Sequence, residues 1–203
     1  DGVDDFISGG TLFSGGTDSA QLYFGSATAL PTTMPTTLTG TSTGFFGVAV
    51  AGIGDFNGDG RPDFAIADPG VTSFTGAVYI YFGRASTDPW PATVTTASAD
   101  VVIGGLTGSG LGVSLAAAGD VNGDGNMDLA IGAQLEASEG RVHVVFGGSA
   151  TGALTVASDT DGFTITPGAE TAASFGYAVT GLGNGSAGDS RVDLAVGALG
   201  SAS

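Results

Sequence analysis

The chain has 203 residues, 42% of them hydrophobic and 12% charged, with 38 glycines, no cysteine, no lysine, four arginines and a net charge of −16. So acidic a surface argues against nucleic acid and against an anionic membrane, both of which are held by cations, and the missing cysteine excludes disulfides and a thiol nucleophile. The length suffices for one domain with a core, no apolar run approaches the roughly 18 residues of a membrane span, and short apolar runs between glycines predict an all-β chain.

Taken from the N-terminus, the chain is a repeat entered midway. DGVDDFISGG aligns with DGRPDFAIAD further on, followed by a strand in AQLYFG and another closing near Leu38. Phe46-Gly47 then opens a small-residue strand, VAVAGIGD, which leads into an acidic loop, the strand FAIAD, the strand AVYIYFG and one closing near Ile103. The order recurs from Leu111-Gly112 through VSLAAAGD, a second acidic loop, LAIGA, RVHVVFG and a strand near Ile165. It begins once more at Phe175-Gly176 with YAVTGLGN and LAVGA. The predicted division is a partial unit over 1–40, repeats over 41–105 and 106–168, and a partial repeat over 169–203, about three units in all. In AVYIYFG, Val78, Ile80 and Phe82 face one way and Tyr79 and Tyr81 the other, so both faces of this strand are expected to be covered.

The acidic loops carry the chemistry. DFNGDGRPD holds Asp55, Asn57, Asp59 and Asp63 at its first, third, fifth and ninth places, and DVNGDGNMD holds Asp120, Asn122, Asp124 and Asp128 at the same places. Three carboxylates gathered within a few Å repel by about 4 kcal/mol per close pair at an effective dielectric near 20. A cation relieves that repulsion, and hard oxygen ligands on a glycine-bent loop suit Ca²⁺ better than Mg²⁺, which holds stricter geometry and more water. The carbonyls of Arg61 and Asn126, at the seventh place, complete the expected ligand set. An EF-hand opens alike, but its twelfth-place Glu is Ile66 or Ile131 here and a strand follows where a helix belongs. The competing reading is a metal-free hairpin turn rich in Asp, Asn and Gly.

Weaker candidates flank these two loops. Alignment puts Asp1 at the fifth place and Asp5 at the ninth place of a loop entered midway. The third loop, GNGSAGDSRVD, keeps Asp189 and Asp193 but has Gly185 and Ala187 where the first and third ligands belong. Asn184-Gly185-Ser186 is also a glycosylation sequon by pattern.

With [FL]-G, then D-x-N-x-D-G-x-x-D, then hydrophobic-A-I-[GA]-A, the sequence resembles the FG-GAP repeats of integrin α-subunit propellers and their bacterial relatives. The GAP element itself is loose, at Ala67-Asp68-Pro69 and Gly132-Ala133-Gln134. The resemblance implies a β-propeller of four-stranded antiparallel blades with a Ca²⁺ loop joining the first two strands of each. At a loop affinity of about 0.1 mM and about 1 mM Ca²⁺, each site would add about 1.4 kcal/mol. Closed propellers use about four to eight blades, so three units point to a part of a larger propeller or to completion by other copies.

Signals for catalysis are poor. Gly40-Thr41-Ser42-Thr43-Gly44 matches a nucleophile elbow without its strand–turn–helix setting. His143 stands mid-strand where the counterpart is Tyr79, which favours a packed side chain over a general base. Trp90, between two prolines, either caps a core or stacks on a ligand.

The expected function is therefore non-enzymatic: a Ca²⁺-stabilised extracellular or cell-surface module for adhesion, binding a protein or glycan. The alternative is a protomer that assembles with its own copies into a fibre or surface layer, and a third is an accessory domain of a secreted hydrolase. Absent an initiator Met or signal peptide, the chain reads as a mature or excised piece.

Overall fold

The computed structural model describes residues 3–10, 18–26, 35–40, 45–148, 152–156, 161–168, 174–183 and 192–200. The strands follow the repeat. β1 (Phe6–Gly10), β2 (Ser19–Tyr23) and β3 (Thr36–Thr39) come first. β4 (Val50–Gly54), β5 (Asp63–Asp68), β6 (Ala77–Tyr81), β7 (Thr93–Thr95) and β8 (Val101–Gly104) form the next unit. β9 (Leu111–Gly119), β10 (Asp128–Ala133), β11 (Arg141–Val145), β12 (Gly152–Thr155) and β13 (Gly162–Ile165) repeat that series. β14 (Ala178–Gly183) and β15 (Asp193–Gly197) close it.

Antiparallel pairing of sequence neighbours builds each blade. The sheets run β1-β2-β3, β4-β5-β6-β8, β9-β10-β11-β13 and β14-β15, and their strand order matches the repeat alignment place for place. Inner strands β4, β9 and β14 lie beside one another in succession, so the blades stack face to face. Among the described residues no sheet closes on itself, and no helix is long and apolar enough to cross a membrane.

Face-to-face stacking explains the apolar alternation. All six residues of β5, all six of β10 and all five of β6 are buried, as strands covered on both faces require. Val78 and Ile80 pack with Ile53, Phe56, Leu129 and Ile131 in the layer between the second and third sheets. Tyr79 and Tyr81 point the other way, into Leu22, Leu38 and Phe46 between the first and second. A third layer, with Ala118, Val142 and Val144, packs against Val179, Leu194 and Val196 of the last sheet.

Two strands do something the repeat does not announce. β7 leaves its own unit to pair parallel with β3, in register Leu38↔Val94, and β12 leaves the following unit to pair parallel with β8, in register Leu154↔Ile103. Each long connection thereby clasps the outer edge of the preceding blade, satisfying edge N–H and C=O groups that would otherwise be open to other chains.

Close packing between blades also dictates one glycine. Gly112, which follows Leu111 in the [FL]-G pair, has φ +94°. A Cβ there would lie 2.7 Å from the Cβ of Ala67 in the preceding blade.

Candidate metal centre

Loop 1 links β4 to β5, and its own side chains fold it. Asp55 accepts the Asp59 N–H on Oδ1 and the Gly60 N–H on Oδ2, each at 2.9 Å. Asn57 Oδ1 accepts the Asp59 N–H and Asp59 Oδ1 accepts the Arg61 N–H, also at 2.9 Å. These successive Asx-type turns bring the first, third and fifth places round one backbone coil.

Loop 2, between β9 and β10, repeats the scaffold. Asp120 accepts the Asp124 N–H at 3.0 Å and the Gly125 N–H at 2.9 Å. Asn122 Oδ1 accepts the Asp124 N–H at 2.9 Å, and Asp124 Oδ1 accepts the Asn126 N–H at 2.8 Å.

The ninth-place carboxylates sit differently from the rest. Asp63 and Asp128 are buried, whereas Asp59 and Asp124 at the fifth places are exposed. Asp63 Oδ2 accepts the Phe56 and Asn57 N–H groups at 2.9 and 3.2 Å, while its Oδ1 accepts the Gly83 N–H at 2.7 Å. Asp128 binds the Val121 and Gly147 N–H groups, both at 2.8 Å. In the first unit Asp5 accepts the Gly25 N–H at 2.8 Å, the same bond in the same place.

Asp63 and Asp128 thus tie their loops to the Gly two residues past the third strand of the blade, and Asp5 bonds the corresponding Gly25. Sequence reasoning missed this role, although a signal was there: the Asp-to-Gly separations are 20, 20 and 19 residues.

Electrostatics separates the places as burial does. The Asn57 amide, with the Arg61 N–H and guanidinium, holds the Asp59 carboxyl below the usual range. The Asn126 N–H and the Asn122 amide do the same for Asp124. Burial pushes Asp63 and Asp128 up against their N–H partners, with added repulsion from Asp59 in one loop and from Asp124 and Asp120 in the other.

Every candidate ligand is an oxygen, and each carboxylate keeps at least one oxygen that accepts a single N–H and so has lone-pair capacity left. The donor chemistry fits a hard divalent cation. Among the described residues no three Asp, Glu or His side chains form a metal-holding cluster by themselves. A bound ion would therefore also need the Asn57 or Asn122 amide oxygen and the Arg61 or Asn126 carbonyl.

The two loops differ at the seventh place. Arg61 Nη2 lies 2.6 Å from Asp59 Oδ2, and its Nε donates to the Gly83 carbonyl at 2.9 Å. Asn126 Nδ2 instead donates to Asp124 Oδ1 at 2.9 Å. A guanidinium on a ligand competes with a cation for the same oxygen. Arg61→Asn is expected to tighten divalent-ion binding at loop 1 by about two- to fivefold, the worth of an exposed ion pair, as read by calorimetric titration with CaCl₂.

The remaining sequence candidates resolve one by one. Asp193 opens β15, as its ninth-place alignment implies. Asp1, Ser42, Asn184 and Asp189 lie outside the described residues. His143 is a packed side chain, with Nε2 2.8 Å from Glu136 Oε2 and Nδ1 3.0 Å from Thr164 Oγ1. Trp90 caps a core: it packs on Phe64 and Tyr81, and Arg84 lies over its ring at 4.6 Å.

The FG-GAP repeat family model matches residues 46–81 and 111–145. Integrin alpha-M of Mus musculus is 40% identical over 94 residues, which is 45% of this chain and 8% of that protein. Phosphatidylinositol-glycan-specific phospholipase D of Bos taurus is 43% identical over 107 residues, 49% of this chain and 11% of that protein. Integrin alpha-IIb of Mus musculus is 41% identical over 98 residues, 47% of this chain and 9% of that protein. The chain thus spans only about a tenth of the length of these relatives. The two segments matched by the family model are the two that contain the intact acidic loops, and this all-β chain carries FG-GAP repeats in a propeller module.

Proposed function

We propose that the chain is a non-enzymatic propeller module, working outside the cell in binding or adhesion, whose blades are braced by Ca²⁺ held in loops 1 and 2. The observation that carries this reading is the duplication of one oxygen-only donor set on one hydrogen-bonded scaffold, at the same join between first and second strands of adjacent blades. Turn formation needs Asp, Asn and Gly but does not need four ligand places repeated at the same spacing. Asp55, Asn57, Asp59, the Arg61 carbonyl and Asp63 would hold one ion; Asp120, Asn122, Asp124, the Asn126 carbonyl and Asp128 would hold the other. A bound ion supplies positive charge among mutually repelling carboxylates and locks the coil between two strands. It performs no reaction.

Two of the relatives are integrin alpha chains by name, which supports a place outside the cell; the partner we propose there is an extracellular protein or glycan. The net charge of −16 favours a partner or ionic setting that tolerates acidic surfaces.

Thermal unfolding with 1 mM CaCl₂ and with chelator tests the metal. The parent chain is expected to melt higher in calcium, and Asp59→Ala or Asp124→Ala to lose much of that gain while melting in chelator close to the parent. Equal losses in both conditions would mean that the loops are turns and nothing more.

A further inference from the structure

Loops 1 and 2 belong to different blades, yet they are bonded to each other. The Met127 N–H, one place before the buried Asp128, donates to the carbonyl of Asp55 at 2.9 Å, and Asp55 is the first-place residue of loop 1. The Gly148 N–H donates to the carbonyl of Phe56 at 2.7 Å. Phe56 and Gly147–Gly148 also serve the two ninth-place carboxylates: the Phe56 N–H binds Asp63, and the Gly147 N–H binds Asp128. Asp63 and Asp128 are thus linked through the backbone of Phe56, the Gly148–Phe56 bond and the backbone of Gly147-Gly148.

The fit leaves no slack. A Cβ at Gly58 in loop 1 would stand 2.5 Å from Asn126 Oδ1 in loop 2, and one at Gly54 would stand 2.7 Å from the Met127 Cγ. Phe56, fully buried, packs in one layer with Leu129 and Val145 of the next blade.

From these contacts we infer that the two loops bind divalent ions as a coupled pair, ordering of either loop lowering the entropic cost of ordering the other. This inference rests on the calcium reading given above. The coupling is reciprocal and positive in sign. Electrostatics alone would give the opposite sign, because a first cation cancels part of the field that draws the second.

A substitution that removes one of the two inter-loop bonds, Met127 N–H to the Asp55 carbonyl, without removing a ligand or a charge is available in the repeat itself. The eighth place of loop 2 is Met127, and the eighth place of loop 1 is Pro62, so this backbone position accepts proline. Met127→Pro removes the N–H that binds the Asp55 carbonyl and keeps all ten candidate ligands.

The test is calorimetric titration of the whole chain with CaCl₂, comparing the parent with Asp59→Ala, Asp124→Ala and Met127→Pro. The expected parent isotherm is steeper than the sum of the two single-loop variants, with the intact loop of each variant weakened at least about fivefold, the low end of ordinary coupling. Met127→Pro is expected to bind two ions with an isotherm shallower than the parent's. A parent isotherm equal to the sum of the two variants, or a Met127→Pro isotherm as steep as the parent's, would overturn the coupling while leaving the calcium sites standing. No binding by the parent would overturn both.

Discussion

Asp63→Ala is expected to lower unfolding stability by about 3 kcal/mol in chelator, and by more in calcium where a ligand is lost as well, because this carboxylate holds the blade together whether or not an ion is present. Three backbone N–H groups, from Phe56, Asn57 and Gly83, end on its two oxygens. Hydrogen bonds to a charged group are worth about 1.5–3 kcal/mol each, and a stranded buried N–H adds its own desolvation cost. Part of that is offset, since the folded chain strains against burying the charge, as the upward push on the Asp63 carboxyl reflects. Urea denaturation measures the loss. Asp63→Asn keeps one acceptor oxygen and is expected to lose roughly half as much in chelator. A drop seen only in calcium would contradict the structural role. The contrast with exposed Asp59, whose removal is expected to matter chiefly in calcium, separates a carboxylate that staples strands from one whose bonds stay within its own loop.

Gly112→Ala is expected to cost a similar amount, about 3 kcal/mol, for steric reasons alone. At φ +94° an L side chain is strained, at about 1–3 kcal/mol. The added methyl would also stand 2.7 Å from the Ala67 Cβ, well inside the roughly 3.5–4 Å at which carbons attract, and overpacking of this kind costs about 1–3 kcal/mol. Pairing the change with Ala67→Gly should relieve the collision and leave the backbone strain, recovering part of the loss. Stability of the single variant within about 0.5 kcal/mol of the parent, the range of ordinary surface changes, would show that the blades can slide apart at no cost.

Most of the candidate site could be read from residue order because it is local. Asp55, Asn57 and Asp59 fold their own loop through bonds spanning two to five residues, so the spacing of polar side chains along the chain is itself the geometry. The same holds for the faces of β6: alternation places Val78 and Ile80 opposite Tyr79 and Tyr81, and each set lies in its own buried layer. Arg61 was legible only in part. Its carbonyl follows from the seventh-place rule, whereas the guanidinium contact with Asp59 is a side-chain choice that loop spacing does not encode.

What the amino-acid order determined, then, was the repeat, the all-β blades, the two faces of β6 and the composition of both acidic loops, because each depends on neighbours within a few residues. Tertiary structure alone decided that β7 and β12 reach back to the preceding blade, that Asp63 and Asp128 each close on a glycine just past the neighbouring strand, and that loop 1 is bonded to loop 2. Three-residue β7, with Val94 its single buried side chain, is too short to declare a partner. Such pairings join segments tens of residues apart, and their choice falls to whichever blade edge and packing gap the assembled stack leaves open.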